Sequence, residues 1–286
     1  MDQLVGFAQF AERRFLMDKT GSRLCRVAVK PGGSVLVLGD LHAAILDWGA
    51  FNLVYNVAVD AKVTHIDVNG DNLDNHTLSR HPKEPDRLME SVQRESAVLG
   101  GILWQLTLIK SAHTFHIKPG NHDDRWYDLV SANPALNGVE WYDIPKQHAP
   151  DQFDWLPRHA ATQYGSVVVE HGDALPCIKR GGGSTAAARV LASYPDQNTI
   201  FGHCHSLDSK VRSRWSYGRQ LKFGAWGTGH LSRRDAHRYA LDNSFEQGSV
   251  IITFHSGPSD FSVETLRVER DGGDRPFINF RGVKYV

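Results

Sequence analysis

The sequence predicts an α/β fold, a two-sheet β-sandwich flanked by helices, with one polar site at the C-terminal ends of its strands. Three observations predict it. Five short apolar β-runs before residue 206 each end in a glycine beside Asp, Asn or His. Between several of them lie segments with apolar positions at helical spacing. After residue 206 the pattern turns to β-like runs broken by Gly-Pro, Gly-Gly and Asp-rich turns, as antiparallel strands that extend or face the first sheet require.

In chain order, Leu4, Phe7, Ala8, Phe10, Ala11 and Phe15 have the spacing of a helix over 2–17. Residues 34–38 form an apolar strand buried on both faces, which runs into Gly39-Asp40. A helix is expected over 47–61. A strand over 63–68 runs into Gly70-Asp71. A long helical stretch over 85–111 follows a proline. The strand 114–118 ends in Gly120-Asn121-His122-Asp123, and the strand 167–170 ends in His171-Gly172-Asp173. A helix over 186–193 precedes the strand 199–201, which ends in Gly202-His203-Cys204-His205. Residues 221–223, 249–254, 261–268 and 277–285 read as the C-terminal strands. Ligands of α/β sheets gather where strand ends and loops converge, so five such ends predict one shared site.

The chain has 286 residues and a mass of 31.9 kDa, which suits one domain over 1–286, with a motif core at 34–205 and a β-rich part at 206–286. No apolar run reaches the ~18 residues of a membrane helix, and the N-terminus shows no secretory signal pattern. Cys25, Cys177 and Cys204 are too few and scattered for a disulfide framework, so a cytoplasmic location is expected. Lys plus Arg equals Asp plus Glu, 32 each, which argues against a general nucleic-acid coat but leaves room for a local basic patch. Fifteen histidines are an excess that points weakly to metal chemistry.

Taken singly, the polar blocks have ordinary readings as turns, strand ends and solvated histidines. Their joint order, DLH (40–42), GDNLD (70–74), GNHDD (120–124), HGD (171–173) and GHCH (202–205), is more specific. It resembles the calcineurin-like metallophosphoesterase superfamily, whose blocks are D-x-H, GD-x-x-D, GNH-[DE], H and GH-x-H, and within it the compact bacterial and bacteriophage branch. The resemblance implies a dinuclear centre at the strand ends. One ion would be held by Asp40, His42, Asp71 and His205, the other by Asp71, Asn121, His171 and His203, with Asp71 bridging. Such a mixed O/N shell points to Mn²⁺, with Fe, Zn²⁺ and Ni²⁺ as other ions it would accept. Cys204 should face away from the two histidines, as alternate strand residues do.

The resemblance further implies a metal-bridging hydroxide that attacks phosphorus in line. His122 matches the residue that protonates the leaving oxygen. Asp74 matches the carboxylate that orients this histidine, its ordinary reading being a turn residue. Two departures narrow the class. Asn75 and His76 stand where protein phosphatases carry an arginine after the second block, and GNHDD replaces their GNHE. No metal-binding tyrosine of the secreted purple acid phosphatase kind follows the second block.

Substrate contacts are expected from Arg125, Lys179 and Arg180. Gly181–Gly183 with Ser184 and Thr185 read as an ordinary helix cap or a phosphate cradle. Lys210, Arg212, Arg214, Trp215, Tyr217 and Arg219 interleave basic and aromatic residues, as single-strand surfaces do, with a solvated hairpin as the plain alternative. His230, Arg233, Arg234, His237 and Arg238 read as a further basic cluster. The expected function is a dinuclear-metal phosphodiesterase acting on a nucleic acid or nucleotide. The alternatives are a phosphomonoesterase on a small metabolite or nucleic-acid end, and a catalytically silent metal-bound binding protein.

Overall fold

The structure is a computed structural model that describes residues 16–17, 23–80, 82–83, 87, 89–175, 177–178, 185–216, 218–236 and 245–286. Its elements begin with β1 (Leu16–Met17), β2 (Arg23–Val27), β3 (Ser34–Leu38), α1 (Trp48–Asp60), β4 (His65–Asn69), α2 (Val92–Thr107), β5 (Thr114–Lys118) and α3 (Arg125–Ala132). Then come β6 (Phe153–Trp155), β7 (Ala160–Tyr164), β8 (Val167–Glu170), α4 (Ala186–Ser193), β9 (Asn198–Phe201), β10 (Ser209–Ser216) and β11 (Arg219–Gly227). The chain closes with β12 (Gly248–Gly257), β13 (Asp260–Arg267), β14 (Glu269–Arg270), β15 (Pro276–Phe280) and β16 (Val283–Tyr285).

Two sheets carry the fold, ordered β1-β2-β7-β8-β9-β11-β10 and β13-β12-β3-β4-β5-β6, beside a small β14-β15-β16 sheet. The strands β3 to β6 run parallel. β3 shows why. Leu36 and Leu38 pack on the helix side with Phe51, Val54, Leu99 and Leu103, while Val35 and Val37 face the other sheet. A strand covered on both faces needs crossovers, and helices supply them. α1 and α2 start where side chains cap them: Asp47 accepts from the Ala50 N–H at 3.0 Å and Ser91 from that of Arg94 at 3.2 Å.

The space between the sheets is apolar at one end and polar at the other. Val35, Val37, Val250, Ile252 and Phe254 meet Tyr164, Val167, Val169 and Ile200. Burying each such side chain is worth about 1.5–3 kcal/mol. Toward β4 and β5 the same layer holds a fully buried ion pair, Lys118 Nζ to Asp67 Oδ1 at 2.8 Å. Lys118 also donates to Thr162 Oγ1 at 2.7 Å and to the Val169 carbonyl at 3.0 Å, so its three protons are all used. Tyr164 donates to Asp67 at 3.1 Å.

Several expectations are corrected. Of the helix expected over 2–17, only Leu16 and Met17 are described, and they form a strand paired with β2. The helix expected over 85–111 occupies Val92–Thr107. The single run over 277–285 is the hairpin β15–β16. After residue 206, β12 extends the β3–β6 sheet antiparallel to β3, as expected, whereas β11 pairs parallel with β9.

The β10–β11 hairpin runs away from the strand ends that carry the motifs. Gly227 pairs with Phe201 at the C-terminal end of β9, whereas Ser216 pairs with Arg219 at the far tip. At ~3.3 Å per residue, Trp215 stands roughly 20 Å from the start of β10. Arg212 and Arg214 lie over Phe223 and reach Asp196, as a solvated hairpin would have them.

Candidate metal centre and catalytic site

Five parallel-type strand ends converge. Asp40 and His42 follow β3, Asp71 follows β4, Asn121 and His122 follow β5, His171 follows β8, and His203 and His205 follow β9. The loops are laced together by backbone hydrogen bonds, Asp40 N to Gly70 O at 3.1 Å, His42 N to Asp71 O at 2.9 Å, and Gly202 N to His171 O at 2.8 Å. Asp40, His42, Asp71, His203 and His205 all have positive φ, between 45° and 65°. Non-glycine residues adopt this left-handed region at a cost of order 1 kcal/mol or more each, and such strain is typical of sites whose geometry the surroundings impose. Glycines make the close approach possible. A Cβ on Gly120 would lie 2.3 Å from Asp71 Oδ1 and 2.6 Å from His171 Nε2.

The side chains form two clusters that share Asp71. In the first, His205 Nε2 lies 3.1 Å from Asp40 Oδ1 and 3.3 Å from His42 Nε2, and His42 Nε2 lies 4.0 Å from Asp71 Oδ2. In the second, His171 Nε2 lies 3.3 Å from both Asp71 Oδ1 and Asn121 Oδ1, and one ligand atom each of Asp71, His171 and His203 falls within 4.8 Å of the others. Tautomers follow from the outer partners. His171 donates Nδ1–H to the Asn69 carbonyl at 2.9 Å, and His42 faces Asp74 Oδ1 with Nδ1 at 3.1 Å. Both therefore turn Nε2 inward, among carboxylate and amide oxygens that only accept.

Converging acceptors call for a cation. Burial raises the Asp71 carboxyl, but His171, His122 and His42 outweigh it and hold it well below the usual range. Burial lowers His171, but Asp71 drives it well above its usual value. A divalent ion on each cluster would satisfy the same acceptors and charges, and the donor set of imidazole, carboxylate and amide oxygen fits borderline-to-hard divalent ions.

His122 borders this centre. Its Nδ1 lies 3.0 Å from both Asp74 Oδ1 and the Asp74 carbonyl, and its N–H donates to Asp71 Oδ1 at 2.8 Å. Burial lowers His122, but Asp71 and Asp74 raise it above its usual value. Arg125 donates to the Asp74 carbonyl at 2.6 Å, and its other terminal nitrogen lies 3.3 Å from His122 Nε2. Lys179, Arg180 and residues 181–184 lie outside the described residues, as do Tyr217, His237 and Arg238.

Arg87 and Glu95 carried no sequence signal, and Asp123 only its place in the third block. Arg87 pairs with the Asp74 carboxylate. Glu95 of α2 accepts the N–H groups of Asp74 and Asn75, each at 2.9 Å, and burial pushes its carboxyl up to about 7. Asp123 accepts from Gly120, Asn72 and Leu73; burial, with Asp71 nearby, pushes it up to about 7. His230 is not part of a basic surface. It is fully buried and stacked on His205, with ring centroids 5.0 Å apart, because β12 and the 228–232 segment close over the β9 loop. Cys204 packs against the α4-side cluster that includes Ala187, Val190 and Leu191, its thiol pushed up to about 12 by burial, so it faces away as expected. The reason is a loop and not strand alternation, since β9 ends at Phe201.

The family model described as calcineurin-like phosphoesterase matches residues 33–211, more than half of the chain. No curated protein matches it. Among solved structures, Vps29 from Cryptosporidium parvum is similar at 14% identity and a TM-score of 0.38, covering 90% of this chain and 96% of that one. Vps29 from Chaetomium thermophilum is similar at 9% identity and 0.42, covering 88% and 96%. A dimetal phosphatase from Danio rerio is similar at 11% identity and 0.39, covering 82% and 99%.

Proposed function

This chain belongs to the calcineurin-like phosphoesterase family of metal-dependent phosphoester hydrolases, and on that premise we propose that it cleaves phosphodiester bonds of a nucleic acid or nucleotide. Asp40, His42, Asp71 and His205 would hold one ion, and Asp71, Asn121, His171 and His203 the other. Mn²⁺ is our assignment, because no thiolate enters either shell and the donors are oxygen and imidazole nitrogen. Two divalent ions lower the pKa of a water nucleophile and neutralise phosphoryl charge. The chain's own part is positional. Asp74 holds His122 by Nδ1, which leaves Nε2 to deliver a proton to the leaving oxygen. Arg87 and Glu95 in turn fix the Asp74 turn.

One observation favours a diester over a monoester. Among the described residues, the two arginines beside His122 and Asp74 are both engaged with Asp74, Arg87 with its carboxylate and Arg125 with its carbonyl. A monoanionic diester needs less added positive charge than a dianionic monoester. The second reading, a phosphomonoesterase, follows if Arg125 leaves Asp74 for the phosphoryl group, which its place beside His122 Nε2 permits. Three free cysteines fit the cytoplasmic location we propose, and no helix among the described residues is long and apolar enough to cross a membrane. Turnover of bis-p-nitrophenyl phosphate and p-nitrophenyl phosphate with Mn²⁺ tests the reading, with Asp71→Asn as the control for contaminants. Preference for the diester supports it; preference for the monoester puts the second reading first; no turnover of either leaves the silent binding protein.

A further inference from the structure

A cleft of about 460 Å³ lies beside the centre on the His205 side. Phe245 forms the wall between them: its ring meets that of His205 edge-on at 4.6 Å. Three guanidinium groups line the cleft, from Arg234, Arg267 and Arg270, and they are not equivalent. Arg267 pairs with Glu246, whose second oxygen accepts the Leu207 N–H at 2.8 Å. Arg270 pairs with Asp47 at 2.5 Å and donates to Gln247 at 3.0 Å. Arg234 is exposed on the short turn Arg234–Ala236 and has no hydrogen-bond or ion-pair partner among the described residues. The cleft thus offers an uncommitted guanidinium, two committed ones, the exposed Glu269 carboxylate at its edge and an aromatic wall, one ring's width from the proposed reaction centre.

We propose that this cleft is a second anion subsite, which takes the next phosphate of a single-stranded nucleic acid whose scissile phosphate sits at the centre. Arginine is the side chain best shaped for phosphate, and cations beside an aromatic ring are the composition that single-strand surfaces use. A free anion at one exposed guanidinium gains little. A strand already held at the centre presents its next phosphate at high effective concentration, so a modest contact counts. The subsite rests on the phosphodiesterase reading and narrows it to substrates with at least two phosphates. It also places substrate recognition beside His205 and not on the distant β10–β11 tip.

Arg234→Ala tests it, since the residue is exposed and holds no hydrogen bond or ion pair among the described residues. With Mn²⁺, the variant should raise KM for an oligothymidylate about tenfold while bis-p-nitrophenyl phosphate, which has no second phosphate, is turned over as before. Equal turnover of the oligonucleotide, or an equal loss on both substrates, overturns the subsite. If the wild-type protein cleaves no diester, the phosphodiesterase reading fails by itself, and binding decides the subsite separately. The Mn²⁺-loaded protein, which then leaves the strand intact, should bind the oligothymidylate with a salt dependence whose log–log slope falls by about one unit in the variant. No binding, or an unchanged slope, overturns it.

Discussion

The Nδ1 atom of His122 lies 3.0 Å from Oδ1 of Asp74, and the same carboxylate oxygen lies 3.1 Å from Nδ1 of His42. One carboxylate therefore sets the ring of a proposed metal ligand and that of the proposed proton donor. His122→Ala should keep both ions and lose about 10²–10⁴ in kcat, the usual contribution of a positioned acid or base. Metal content and turnover on one preparation check this, and loss of an ion would assign His122 to the shell instead.

Gly120 and Gly101 make a contrasting pair. A Cβ on Gly120 meets the Asp71 carboxylate and backbone, so Gly120→Ala should lower stability by about 1–3 kcal/mol and weaken metal binding. Gly101 lies exposed in α2 with open space around it, so Gly101→Ala should raise stability by about 0.5–1 kcal/mol. Thermal melts with and without Mn²⁺ measure both.

Lys118 and Asp67 are fully buried and joined at 2.8 Å. Lys118→Met strands the Asp67 charge between the sheets and should cost about 3–5 kcal/mol, whereas Lys118→Met with Asp67→Leu should recover much of that loss. Urea unfolding of the two variants separates the cost of an orphaned charge from the worth of the pair.

Glu95 makes stability fall as pH rises. Its folded value is about 7 against 4.5 for an ordinary glutamate, because burial opposes its charge. The folded protein keeps a proton that the unfolded chain has lost, so this contribution is complete below about pH 4.5 and is gone once pH passes about 7. The span is of order 3 kcal/mol. Asp123 acts with the same sign. In metal-free protein, Glu95→Gln should flatten part of the decline in unfolding free energy between pH 5 and 8; an unchanged decline would mean that Glu95 is ionised in the fold.

The strand ends were legible because their residue types are rare together and each follows an apolar run. What completes the site was not. Glu95 reaches back from α2 across 21 residues, Asn69 acts through its carbonyl, and His230 stacks on His205 only because β12 and β9 come together in space. β7, Ala160–Tyr164, carries no strand signal, because Ala, Thr and Gln show no apolar alternation; its Thr162 faces Lys118 and not a hydrophobic core. His65, Asp67 and Asn69 alternate with Ile66 and Val68, a period that marks the polar inter-sheet layer in a strand buried along its whole length. The hairpin's composition was plain, but only the parallel register of β9 and β11 shows that its tip points away from the centre.

The central claim is that two divalent ions share Asp71. Equilibrium dialysis against Mn²⁺, comparing the wild-type protein with Asp71→Asn, tests it most directly. Two ions bound per wild-type chain, with both weakened in the variant, is the expected result. Two ions held as tightly by Asp71→Asn, or a single ion in the wild type, would contradict it.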